Sequence, residues 1–297
     1  MSYILYNLKL TIIMNIVTGE KLQELCDMYV GYQNDFYYNP YIAQQKDRHF
    51  YLNFYQNGLQ LDNPYYIFCY SHQIPDLSVR IQMFKNRFVL VSHNSDGIID
   101  ETPEVLNILN HPNLDGWFAQ NLCFDHPKLH FVPIGIANRQ WPHGNVDVYR
   151  NAALYFRSNK IRNVYFNFNI DTNRSKRLPC YESLKGRLDW LENVSPPENI
   201  ARLSQYKFCV CPEGNGPDTH RLWEALYLRV VPIVVKSNFT ETLKKNNIPL
   251  IVLDSWDDFD ETTLDYDLSI KMFDDKTFQQ IINFTLLYFD QRIINKE

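Results

Sequence analysis

The sequence predicts an α/β protein of two doubly wound, Rossmann-like domains, and three observations carry that expectation. Short β-rich apolar runs recur at wide spacing, helical stretches separate them, and several runs are apolar without alternation. Strands that alternate with helices make parallel sheets, because each parallel return needs a crossover segment. A run such as Val231-Pro232-Ile233-Val234-Val235 suits a sheet covered on both faces.

The expected strands are 65–70, 88–92, 129–134, 163–168, 208–211, 230–235 and 250–253, with helices over 104–109, 146–158, 181–191 and 220–228. One set of strands ends near Ile134 and the other begins near Asn163. Between them, residues 133–150 hold Pro, Gly, Asn and Trp with little periodicity, which places the domain boundary near residue 150. The expected units are 1–150, 151–275 and a terminal segment, 276–297. In that segment Phe278, Ile281, Ile282 and Leu286 fall at helical spacing and predict a helix returning toward the first domain. Two such sheets facing one another create a central cleft at the carboxyl ends of their strands, where ligands of these sheets bind.

Composition narrows the function. With 45% hydrophobic and 21% charged residues, the chain has an ordinary globular core. A net charge of −5 gives no electrostatic case for nucleic acid or an anionic membrane. The basic cluster Arg174-Ser175-Lys176-Arg177 is short and suits one phosphate group better than a polymer of them. Six cysteines include no CxxC pair, so buried thiols are expected and a zinc site is not. No run approaches the ~20 apolar residues of a membrane span, and the first residues make a poor signal peptide. The expected location is the cytoplasm. An aromatic share of 15% fits either a compositional bias or a surface that stacks on sugar rings.

The most informative segment runs from Tyr206 to Tyr227: a buried strand, a Gly/Pro loop, then a helix. Pro212 ends the strand, and Gly214 and Gly216 allow positive φ and a close ligand. Asp218 or Thr219 is placed to cap the helix, whose first N–H groups favour an anion such as a diphosphate. Arg221 and Glu224, three apart, share one helix face. On that face Arg221 is placed to hold a phosphate oxygen and Glu224 the ribose hydroxyls; an ordinary surface ion pair is the competing reading.

The string Cys-Pro-x-Gly, then Asp-Thr-His-Arg, Trp-Glu-Ala-Leu and Val-Pro-Ile-Val, resembles the donor region of exostosin-like glycosyltransferases (family 47). It is similar above all to the short members related to the ribitol xylosyltransferase. The resemblance covers about thirty contiguous residues between Tyr206 and Lys236, with a looser likeness back to Asn167. It implies a GT-B fold, a UDP-sugar donor with UDP-xylose a candidate, inversion at the anomeric carbon, a glycan acceptor, and no metal or other cofactor. It implies Arg221 on the diphosphate and Glu224 on the ribose, with Glu213, Gly214, Asn215, Gly216, Asp218, Thr219 and His220 around the donor. One departure is Leu228-Arg229-Val230, where the family usually has a small residue or Gly. The loop after the expected strand 163–168 adds Asn167, Thr172, Asn173 and Arg174 as donor-side candidates.

Inverting transfer needs a base for the acceptor hydroxyl and positive groups for the departing nucleotide. In this architecture the base is expected from the first domain. There Ser92-His93-Asn94-Ser95-Asp96-Gly97 closes a strand, so Asp96 is the first candidate and His93 the second; a plain turn is the alternative. His72 closes another strand. The segment Pro133-Ile134-Gly135-Ile136, followed by Asn138, Arg139, Trp141 and His143, resembles a segment of the same short proteins and is expected to touch acceptor or donor sugar. The acidic run Asp257-Asp258-Phe259-Asp260 reads as a helix start rather than a metal site. A transferase using a GDP-sugar and a non-catalytic sugar- or nucleotide-binding module are the competing functions.

Overall fold

The structure, a computed structural model, describes residues 16–31, 66–156 and 160–274. The expected return helix, 276–297, lies outside them. The first sheet is all parallel, with β1 (Met28–Val30), β2 (Tyr66–Tyr70), β3 (Phe88–His93), β4 (Leu114–Ala119) and β5 (Leu129–Phe131) in sequential order. Both faces are covered. Ile67, Leu90 and Trp117 pack on one side with α2 (Ile74–Arg80) and α3 (Pro103–Leu109). Phe68, Val91 and Phe118 pack on the other with α1 (Gly19–Glu24). All six residues of β3 are buried, which is why that run shows no alternation.

Helix α4 (Val146–Phe156) crosses position 150 and leads to the second sheet. There β6 (Arg162–Tyr165), β7 (Tyr206–Val210), β8 (Val231–Val235) and β9 (Ile251–Leu253) are again parallel and sequential. The crossovers carry α5 (Arg174–Leu184), α6 (Pro196–Leu203), α7 (His220–Tyr227) and α8 (Asn238–Lys245). Between α5 and α6, Leu191 donates its N–H to the Phe166 carbonyl at 3.1 Å and accepts from Asn167 Nδ2 at 2.7 Å, which holds that segment against the end of β6. The loops after β6 and β7 lie side by side at the carboxyl ends of adjacent parallel strands.

Several elements differ from the sequence expectation. Strands β1 and β4 and helices α1, α2, α6 and α8 were not among those expected. The helix expected over 181–191 is α5, which begins at Arg174 and holds Pro179 in its interior. Asn173 caps it by accepting from Lys176 N. Neither Gly214 nor Gly216 has a positive φ; among the described residues the glycines of that kind are Gly31 and Gly135. What the loop glycines supply is close approach: a Cβ on Gly216 would lie 2.9 Å from Asn121 Nδ2, and one on Gly214 3.2 Å from an Arg177 nitrogen. Arg229 takes a left-handed φ of 56°, a conformation that a glycine adopts freely. The acidic run at Asp257 does begin a short turn, capped by Ser255.

The two sheets are tied together. Asp218 Oδ2 accepts from Ile134 N at 2.7 Å, and Asp218 N donates to Asn121 Oδ1 at 3.0 Å. Thr242 Oγ1 donates to the Leu122 carbonyl, and Val17 N donates to the Tyr227 hydroxyl, each at 2.8 Å. Phe131 of β5 packs on Trp223 and Phe239. Among the described residues no helix is long and apolar enough to cross a membrane.

Candidate active site

A cavity of about 480 Å³ opens where the two sheets meet. Its walls are the loops after β3 (Asp96), β5 (Ile134), β6 (Asn167, Phe168, Asn169) and β7 (Gly214, Asn215, Gly216), together with the start of α7. These are carboxyl ends of parallel strands, so the backbone there ends in loops whose polar groups face one another.

The cavity brings together most of the donor-side candidates. Asn167, Thr172, Gly214, Asn215, Gly216, Asp218, Thr219, His220, Arg221 and Glu224 all contribute to its wall, joined by Asp96 and His143 from the first part of the chain. Arg221 is held in place on three sides. Its Nε donates to Glu224 Oε2 at 3.0 Å, its Nη1 donates to the Asn167 carbonyl at 2.6 Å, and its guanidinium lies 5.3 Å from the Tyr165 ring centre. Glu224, only 5% exposed, sits with its other oxygen 3.0 Å from the Tyr149 hydroxyl. Burial, then the neighbouring carboxylate, pushes that phenol well above its ordinary range, so it stays a donor.

Arg177 is the residue that sequence reasoning missed. It is 9% exposed and lines the cavity beside Arg221. Its Nε donates to the Glu213 carbonyl at 3.0 Å and its Nη1 to the Asn169 carbonyl at 2.7 Å. No carboxylate among the described residues pairs with it, and its Nη2 makes no hydrogen bond there. Burial, then repulsion from Arg221, lowers its pKa, the mark of a cation short of countercharge. The signal was present in the sequence, since Arg177 belongs to the basic cluster already noted. Asn193 and Asn199 line the far end of the cavity without any motif to announce them.

Other candidates are placed elsewhere. Arg174 points to solvent, its side chain 67% exposed, and pairs with Asp171. Asn173 is a clamp outside the wall, donating from Nδ2 to the Gly214 carbonyl at 2.6 Å. Glu213 turns its carboxylate to Lys176 at 3.1 Å. Asp218 does cap nothing freely: Trp223 Nε1 donates to its Oδ1 at 2.6 Å while Ile134 holds Oδ2. Its burial raises its pKa to about 7 against the pull of those donors. Thr219, the cap residue of α7, makes no side-chain cap bond; its carbonyl accepts from Leu222 N at 3.2 Å, and no side chain covers the N–H groups of His220 and Arg221 among the described residues.

The structure removes His93 from the candidate bases. Its side chain is sealed, at 0% exposure, with Nε2 3.0 Å from the Pro133 carbonyl and Nδ1 3.0 Å from Asn94 Oδ1. Burial drives its pKa down to about 4. Asn138 and Arg139 are also tied up outside the cavity. Asn138 Oδ1 accepts from Glu20 N, and Arg139 Nε donates to Glu20 Oε2 at 2.7 Å. Trp141 is 53% exposed and outside the wall. His72 sits at the surface with Nδ1 3.0 Å from Ser95 Oγ. Of the expected acceptor-side residues, His143 alone reaches the cavity.

No protein-family model matches this chain, and no curated protein matches it significantly.

Proposed function

We propose that the cavity binds a sugar nucleotide and that the chain is an inverting glycosyltransferase of the GT-B type. It moves a sugar from a UDP donor, with UDP-xylose a candidate, to a hydroxyl of a glycan. One observation carries the reading: Arg177 and Arg221 both line the cavity beside Gly214 and Gly216, and while Glu224 pairs with Arg221, Arg177 has only backbone carbonyls as partners among the described residues. Arg177 thus offers the cavity a guanidinium that no carboxylate among the described residues neutralises, and the start of α7, with no side-chain cap, adds donors and dipole of the same sign. A diphosphate offers the matching charge and the acceptor oxygens. The family 47 likeness of the same loop, and a cavity at strand ends between two parallel sheets, support a sugar-nucleotide donor over other diphosphates.

Calorimetric titration with UDP, GDP and their sugar conjugates tests this. Saturable uridine-nucleotide binding that weakens with salt is expected. A chain that binds no sugar nucleotide ends the reading. Binding confined to guanine nucleotides moves the donor to a GDP-sugar, and binding without sugar release or transfer leaves a binding module.

A further inference from the structure

His220 opens α7 and stands in the cavity wall with Asp96, His143 and Glu224. Its Nδ1 lies 2.8 Å from the Gly135 carbonyl. A carbonyl only accepts, so Nδ1 carries the proton and the lone pair belongs to Nε2. No hydrogen bond engages Nε2 among the described residues. Gly135 can present that carbonyl because it holds a φ of +66°, with Val17 packed where a side chain would begin.

The other candidates lack this combination. His93 is sealed, and the carboxylates of Glu224 and Asp218 have both oxygens engaged within the protein. Asp96 is exposed, with no side-chain hydrogen bond among the described residues to fix its direction. The His143 ring has its edge-to-face contact with His220, at 6.0 Å, but no hydrogen bond among the described residues that sets its tautomer.

From this geometry we infer that His220 Nε2 is the base that accepts the acceptor's proton, an inference that rests on the cavity being a sugar-nucleotide site. The acceptor oxygen attacks the anomeric carbon on the face opposite the diphosphate. The bond from that carbon to the diphosphate oxygen breaks, and its electron pair leaves with the nucleotide. The hydroxyl proton passes to Nε2. Burial, the largest influence, lowers the His220 pKa, and His143 lowers it too; the Gly135 bond, Glu224 and Asp96 raise it. The net lowering keeps Nε2 unprotonated at neutral pH, while the two carboxylates stabilise the imidazolium once formed.

The test uses the full chain with UDP-xylose and UDP-glucose, reading sugar release and UDP affinity for wild type, His220→Gln and Asp96→Asn between pH 5 and 9. Glutamine keeps a donor for Gly135 but has no basic lone pair. In His220→Gln the rate is expected to fall ~10²–10⁴-fold, with UDP affinity kept within about threefold. Wild-type kcat/KM, which reports the free enzyme, is expected to decline on the acid side with a midpoint below the ordinary histidine value. A His220→Gln enzyme that keeps its rate, loses UDP affinity along with it, or retains the acid limb overturns the assignment. So does an acid limb absent from wild type, or one abolished by Asp96→Asn alone. Wild type that binds no UDP and releases no sugar instead fails the reading of the cavity itself.

Discussion

Tyr149 and Glu224, 75 residues apart, meet at 3.0 Å through the phenol hydroxyl and Oε1, and the opposite oxygen of that carboxylate holds Arg221 Nε at 3.0 Å. A residue of the connecting helix α4 thereby fixes the guanidinium that faces the cavity. The first-to-second-sheet connection and the anion site are one mechanical unit.

Tyr149→Phe removes one donor from a buried carboxylate and leaves the volume nearly unchanged. A loss of about 1–3 kcal/mol in stability is expected, measured by urea denaturation. UDP affinity should fall about three- to tenfold as Arg221 loses its fixed direction. Unchanged affinity with normal stability would remove Tyr149 from the site.

The two arginines of the basic cluster make a sharper comparison. Arg177→Ala takes away a desolvated cation that has no carboxylate partner among the described residues, so UDP affinity should drop by roughly 1.5–3 kcal/mol, about ten- to a hundredfold. Arg174→Ala removes only a surface pair with Asp171 and should change affinity less than about twofold. Titration calorimetry at low salt separates the two. Equal effects would mean the cavity is not the anion site.

Why the sequence pointed to Arg174 instead of Arg177 has a physical answer. With a helix expected only from residue 181, the cluster read as an open loop in which every basic residue is equally available. Asn173 starts the helix much earlier, and Arg177 then reaches back under the Gly214 loop to the Glu213 and Asn169 carbonyls. The strand–loop–helix at Tyr206–Tyr227 was legible because its signals are local: an apolar run, Pro212, two glycines and an amphipathic turn. The roles of His93, Asn138 and Arg139 were not, since each is decided by partners distant in sequence, such as Pro133 for His93 and Glu20 for the other two. Asp96, by contrast, reached the cavity as its position at a strand end implied.

Two buried groups give opposite slopes of stability against pH. The pKa of His93 is about 4 in the folded chain against an ordinary 6.5, so the unfolded state takes up its proton first. Its contribution is full above 6.5 and is lost as pH falls toward 4. The pKa of Asp218 is about 7 against an ordinary 3.8, so the folded state keeps its proton longer. Its contribution is present at low pH and is lost as pH rises from 3.8 toward 7. Each amounts to on the order of 3 kcal/mol, and between pH 4 and 6.5 they offset one another. Relative to wild type, Asp218→Asn should gain stability as pH rises through that window, and His93→Gln should lose it. Denaturation midpoints at pH 4.5 and 6.5 measure both slopes, and identical slopes in all three proteins would contradict the assignment.

Gly135 supports the last expectation. Its φ of +66° disfavours any side chain, and a Cβ there would lie 2.1 Å from the Val17 carbonyl oxygen. Backbone atoms cannot move aside as the end of a flexible side chain can. The left-handed conformation alone costs about 1–2 kcal/mol for alanine, and displacing the bridge between Thr18 and Ile136 adds to it. Gly135→Ala should therefore lose about 3 kcal/mol or more. Because the Gly135 carbonyl orients His220, the same variant should also lower the rate of sugar release beyond what its residual folded fraction explains. Gly186→Ala, where nothing lies within 4 Å of the new methyl group, is the control and should be neutral or slightly stabilising. Thermal unfolding distinguishes them, and a Gly135→Ala protein as stable as the control would mean that the loop after β5 is not held in this conformation.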